Sequence, residues 1–259
     1  MEKYMKDTII MSELDITQIP TIMRHHNWIN GAKLMEKWFK APSNSNPKAG
    51  LPSTDIIKMD WVLKYPRARQ VYDTMLREKV WMNSAAKNEI ISMLRKKQLL
   101  VGTRKAVGTP KHTLPIVDKD AIQFRTVGGG WDMAFGEIDD LRAALANFVF
   151  KVIIIGEVEP VLNAKKLPSG KYQLTINEIG IYVRDSYDFN DPPGEDQELG
   201  NWDIDDDSVG RTVFNGGETV KNSDFRAWRT AHSSGGDFLV FSDIKYIKLN
   251  PADSFIFTK

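Results

Sequence analysis

Cysteine is absent from this sequence, which removes thiol nucleophiles, cysteine-ligated zinc and disulfides in one step. A charge imbalance is missing as well. With 35 Lys and Arg against 34 Asp and Glu, net +1, no bulk field draws the chain to nucleic acid or an anionic membrane. Long apolar runs are also lacking: Phe148 to Gly156, the most apolar stretch, is interrupted by Lys151 and is far shorter than the roughly 20 residues that cross a bilayer. The first residues, Met1 to Asp7 with Glu13 and Asp15 behind them, build no signal-peptide core. The expectation is a chain made in the cytoplasm and not exported by the general secretory route, with no membrane span and no nucleic-acid partner. Histidine is scarce too, and the adjacent pair His25-His26 lacks the His-x-x-x-His spacing of a zinc site.

What is present is material for a core, 42% hydrophobic residues with 10% aromatics over 259 residues. The first half has the helical period. Asn27 is positioned to cap a helix in which Trp28, Ala32, Met35, Trp38 and Phe39 recur at three- and four-residue steps, an aromatic face, with Pro42 just beyond its end. Residues 41–50, with two prolines, read as a loop free to move. Further helices are expected from Ser53 to Tyr65, Pro66 to Glu78 and Ser84 to Leu99. From about Val117 the period changes to two. Strands are expected at Ile122 to Val127, Phe148 to Val158, Tyr172 to Asn177, Gly180 to Tyr187, Asp237 to Ser242 and Lys245 to Leu249, with a helix from Asp139 to Asn147 and turns at Pro168-Ser169-Gly170 and Asn177-Glu178. The fold class is α+β, a helical N-terminal half followed by a mainly antiparallel sheet half with a few short helices. The domain reading is an extension over 1–26, a helical region over 27–101, and an α+β domain over 117–259, with the weak stretch 102–116 as a boundary unless both halves share one core.

Two polar clusters are candidates for chemistry. In the first, the alternating run Ile179-Gly180-Ile181-Tyr182-Val183 ends in Asp185, Tyr187, Asp188, Asn190 and Asp191. A strand end is where polar side chains converge without entering the core, and close carboxylates there share a proton or hold a hard cation such as magnesium. The same residues also form turns, and Pro192-Pro193-Gly194 marks a bend. In the second, Ser223 is placed to cap a short helix anchored by Phe225 and Trp228. Arg226, Arg229 and His232 then fall about a turn apart, before Gly235-Gly236-Asp237. Such arginines bind phosphate or carboxylate, while a helix-end histidine also serves simply to bond the last carbonyls. Gly128-Gly129-Gly130 lacks the successors of a phosphate loop and reads as a turn. Trp202-Asp203-Ile204-Asp205-Asp206-Asp207 lacks the glycine and terminal glutamate of a calcium loop and reads as a solvated loop.

Three pieces carry a resemblance: His26-Asn27-Trp28 with Trp38-Phe39, then Tyr182 to Asn190, then Phe225-Arg226 leading to Gly235-Gly236-Asp237 and Ser242-Asp243. Together they resemble an uncharacterised proteobacterial domain family met beside type VI secretion and other contractile-injection genes. Asp185-Ser186-Tyr187-Asp188 is similar to the Asp-x-Tyr-Asp core of the colicin M bacteriocins, which cleave the lipid-linked peptidoglycan precursor between lipid and pyrophosphate. Where those toxins continue with His-Arg, this chain has Gly194-Glu195, leaving His232 with Arg229 or Arg226 to substitute from elsewhere.

The resemblance implies an effector or an accessory of interbacterial competition and supplies no mechanism. The expectation built on it and on the two polar clusters is an antibacterial effector, exported into a target cell, that hydrolyses a phosphate-containing envelope precursor. Asp185, Tyr187, Asp188 and His232 would be catalytic, with Arg226, Arg229, Asn190 and Asp237 binding substrate and no cofactor beyond a divalent cation. Its partners would be a secretion-system chaperone or spike protein meeting the aromatic helix, or an immunity protein. The alternative is a non-catalytic adaptor, immunity or cargo-binding protein of the same system.

Overall fold

The computed structural model describes residues 15–108, 114–129, 138–203, 208–210 and 217–259. Helices α1 (Ile19–His25), α2 (Ile29–Lys40), α3 (Met59–Val62), α4 (Pro66–Arg77) and α5 (Ser84–Lys96) come first. Strands β1 (Lys105–Val107) and β2 (Gln123–Val127), helix α6 (Asp140–Leu145) and the long strands β3 (Phe148–Leu162) and β4 (Pro168–Tyr187) follow. The chain then adds β5 (Glu198–Asp203), β6 (Ser208–Gly210), β7 (Glu218–Lys221), α7 (Asn222–His232), β8 (Phe238–Phe241) and β9 (Lys245–Thr258). This is an α+β fold, helices first and antiparallel sheet second.

β3 and β4 are the spine of a six-stranded sheet. β1 and β2 pair with the outer edge of β3, and β8 and β9 with the other edge of β4. The first half of β3 is apolar on both faces, broken only by Lys151, because both faces are covered. Phe150, Val152 and Ile154 point into the main core with the helices, while Ile153 packs with Val117, Tyr182 and Phe241 on the opposite face. Buried residues from α1 to α5 and from the sheet belong to one cluster, so the core is not divided at residues 102–116. Trp38 of α2 is wholly buried in it.

Several local expectations give way to long-range contacts. The segment read as an extension contains α1, whose Ile19, Ile22 and Met23 are buried. Asn27 takes a left-handed conformation (φ 60°) between α1 and α2 and does not cap. The cap is Asp140, whose carboxylate accepts from Gly31 N at 2.9 Å and Asn30 N at 3.2 Å. That seats α6 on the start of α2, where a Cβ on Gly31 would lie 2.9 Å from Ala143 Cβ.

Of the helix expected over Ser53 to Tyr65 only α3 forms. Ser53 instead bonds the edge of β8, from Ser53 N to Leu239 O and Phe241 N to Ser53 O, both 2.8 Å. Residues 41–50 are fastened: Pro42 bridges Ser234 and Asn44 bridges Gly236.

Asn177-Glu178 is a bulge, not a turn, because Ile155 faces Glu178 and Gly156 faces Ile176. Gly156 is required there, since a Cβ would sit 2.0 Å from Thr175 O. Pro168 to Gly170 belong to β4, and the reversal lies just before them, with Asn163 N bonded to Leu167 O. Trp202 and Asp203, read as part of a solvated loop, lie on β5 of a second sheet ordered β6-β5-β7. Ile204 to Asp207 lie outside the described residues, as do Gly130 and Trp131. Among the described residues no helix is long and apolar enough to cross a membrane.

Candidate functional site

A cleft of about 840 Å³ opens where four parts of the fold meet: α1 with the start of α2, the end of α6, the end of β4, and the small sheet with the start of α7. Its walls include Trp28, Met35, Phe189, Trp202 and Phe225. β4 delivers its polar groups by strand alternation. Ile181 and Val183 enter the core, and the next two residues on that face, Asp185 and Tyr187, reach the cleft as the strand runs out. Register with β8 holds them, Asp185 opposite Val240 and Tyr187 opposite Phe238, on whose ring Tyr187 stacks at 5.3 Å.

These groups have few protein partners. Among the described residues the Asp185 carboxyl receives only the adjacent Ser186 N–H, and the Tyr187 hydroxyl has no hydrogen-bond partner. Burial pushes Asp185 well above the usual carboxylate range, and the nearby Asp188 adds to it. Burial also raises Tyr187, with Asp185 contributing. Asp188 is raised by burial first and by Asp237 second, against hydrogen bonding from Asn190, whose N–H lies 3.2 Å from Asp188 Oδ1. The arrangement is two carboxyls with a phenol beside them, and burial favours the neutral form most strongly at Asp185.

The two polar clusters of the sequence do meet. Asn190 Nδ2 donates to Asp237 Oδ2 at 2.8 Å, and Arg226 Nη1 donates to Phe189 O at 2.8 Å and to Asp191 Oδ2 at 2.6 Å. They meet as anchors. The second Arg226 nitrogen reaches Asp196 Oδ1 at 3.2 Å, so its guanidinium ties the segment after β4 onto α7. Burial pushes Asp191 up, but bonds from Arg226 and Asn222 outweigh it, and its carboxyl sits below the usual range. Arg229 forms a buried ion pair with Asp237, which also accepts from Trp38 Nε1 at 2.9 Å. Ser223 does not cap α7, since its hydroxyl goes to Asp196 Oδ2 at 2.6 Å.

His232 stands apart from the cleft. It lies ten residues beyond Asn222 on α7, about 15 Å along the axis. Its ring stacks on Trp228 at 4.3 Å, and Nδ1 lies 2.9 Å from Trp228 O. The cleft is lined by Asn222 and Phe225 from the other end of that helix, and His232 is not part of it. Among the described residues no group of three or more metal-ligating side chains forms.

The model of a family of unknown function, DUF6402, matches residues 14–209 and 207–257. The chain belongs to DUF6402. No curated protein and no solved structure matches it. The kinship with an uncharacterised domain family therefore holds, and the match carries neither secretion genes nor colicin M with it.

Sequence reasoning overlooked two parts of the DUF6402 cleft. Trp202 is 4% exposed, and the signal was the residue itself, since a tryptophan ill suits a solvated loop. Asn201 and Asn222 are buried cleft residues with nothing in their local sequence to mark them.

Proposed function

We propose that this DUF6402 chain is a hydrolase that works by general acid and base catalysis in the cleft, and that it serves as an antibacterial effector acting on the cell envelope. The observation that carries the enzymatic part is the convergence of Asp185, Tyr187 and Asp188 on one cleft at the end of the central strand, Asp185 and Tyr187 being short of partners among the described residues. Asp185, kept protonated, donates to the leaving oxygen. Asp188, the less perturbed carboxyl, takes a proton from the attacking water. The effector role rests on the resemblance to a family encoded near contractile-injection genes.

The arginines expected to hold phosphate are committed to Asp191, Asp196 and Asp237. A phosphate subsite on Arg226 or Arg229 therefore drops out of the proposal. The aromatic face of α2 drops out as a partner surface for the same kind of reason, because Trp28 and Trp38 are buried within the chain.

The test is growth of a bacterial host producing the chain in the cytoplasm or directed to the periplasm, beside Asp185→Asn and Asp188→Asn variants. Killing confined to the periplasm and lost in both variants is the expected result. Killing that survives both substitutions overturns the catalytic assignment, and no killing in either compartment overturns the proposal and favours an adaptor.

A further inference from the structure

The hydrogen-bond polarity of the cleft identifies its ligand. Asn190 Nδ2 donates to Asp237 Oδ2 and Ser45 O, Asn222 Nδ2 to Asp191 Oδ1 at 2.6 Å, and Asn201 Nδ2 to Gly217 O at 2.7 Å. Every one of those partners is an acceptor only, so each amide nitrogen must face away into the protein and each amide oxygen is left over. The three residues line the cleft. Their Oδ1 atoms receive no hydrogen bond among the described residues. The Asp188 carboxyl adds acceptors, and the neutral Asp185 carboxyl and the Tyr187 hydroxyl both donate and accept.

Charge points the same way. With Asp185 neutral, Asp188 and Glu198 face Arg142 among the described residues that line the cleft, and Glu198 also lies 3.9 Å from Lys221, so the lining carries no excess of positive charge. A phosphate brings acceptors and negative charge, and at the three amide oxygens and the Asp188 carboxyl it would meet acceptors that give it no proton. A ligand dense in hydroxyl donors and free of charge satisfies it, and the Trp28 and Trp202 walls supply apolar surface for ring faces.

We propose that the cleft binds an uncharged oligosaccharide, and, resting on the hydrolase reading above, that the bond broken is glycosidic. Asp185 passes its proton to the bridging oxygen, which leaves with the electron pair of its bond to the anomeric carbon. Water bonds to that carbon and yields its proton to Asp188, and exchange with solvent returns Asp185 to its acid form. One ether and one water become two hydroxyl ends, without a redox partner.

The experiment is a titration of the full chain, followed by tryptophan fluorescence, with neutral hexamers of N-acetylglucosamine, glucose and mannose, beside inorganic pyrophosphate and oligolysine. At least one neutral hexamer should bind with a Kd in roughly the 0.1–1 mM range. Tyr187→Phe, which removes only an unpaired hydroxyl, should weaken that binding by about threefold to tenfold. Pyrophosphate should not bind. Asp185→Asn should keep the sugar and lose its cleavage, read by chromatography of the products.

A sugar that binds without being cut leaves the ligand class standing and overturns the hydrolase. No binding of any hexamer at millimolar concentration, or binding of pyrophosphate or oligolysine alone, overturns the ligand class. Killing dependent on Asp185 would still stand on its own in that case.

Discussion

The indole N–H of Trp38 donates to the carboxylate of Asp237, 199 residues along the chain, and the guanidinium of Arg229 pairs with the same oxygen. This buried carboxylate joins α2, α7 and, through Asn190, the end of β4, so it fixes one side of the cleft. Asp237→Ala leaves Arg229, 8% exposed, as an uncompensated buried charge, and should cost about 3–5 kcal/mol. Trp38→Phe removes one donor and keeps the ion pair, at about 1–2 kcal/mol. Urea unfolding of both variants and of the double variant checks this. Simple additivity of the two costs would show that the groups do not act as one network.

Arg226 should behave as an anchor. Its guanidinium is partly exposed, so Arg226→Gln should cost only about 1 kcal/mol. Residues 189–196, tied to α7 by it, should exchange their amide hydrogens faster. Exchange measured by mass spectrometry reads this directly, and unchanged protection there, together with a loss of affinity for a phosphate ligand, would return Arg226 to a substrate-binding role.

His232→Ala should leave both function and fold intact. The ring is exposed, its nitrogen bonds a carbonyl of its own helix, and it is not among the residues that line the cleft. Stability should stay within about 0.5 kcal/mol of the parent chain. The growth assay decides the role, and loss of killing in a folded His232→Ala variant would bring the histidine back into the site.

The strand periods of β3 and β4, the helix over Asp140–Leu145 and the start of α4 at Pro66 are written in neighbouring residues, and those elements were legible. So was the end of β4 as a polar site, because Asp185 and Tyr187 continue the inward face set by Ile181 and Val183. What stayed hidden depends on partners far away in sequence. Asp140 caps α2 from 109 residues off. Ser53 leaves a helical pattern for the free edge of β8. Arg226 and Arg229 look like ligand-binding cations until Asp191 and Asp237 stand beside them. Spacing shows which side chains share a face, and it is silent on which charge another element has already neutralised.

Asp185 should link stability to pH in a direction opposite to an ordinary paired carboxylate. Its folded-state pKa lies well above the usual carboxylate range, with burial the chief cause, while in the unfolded chain it titrates near 4. The folded chain thus keeps a proton that the unfolded chain releases. Its contribution is fully present below about pH 4 and is lost as pH rises through the raised folded value. Asp188, also raised, acts with the same sign, whereas Asp191, held low by Arg226 and Asn222, acts against it. Comparing the parent chain with Asp185→Asn isolates the one group. The variant should gain stability relative to the parent as pH rises from about 4 to neutrality, while losing about 100-fold or more in cleavage rate if Asp185 is the acid. Urea unfolding across that range gives the difference, and a variant that falls behind the parent toward neutral pH would mean that Asp185 is ionised and supported in the folded state, which removes the acid from the mechanism.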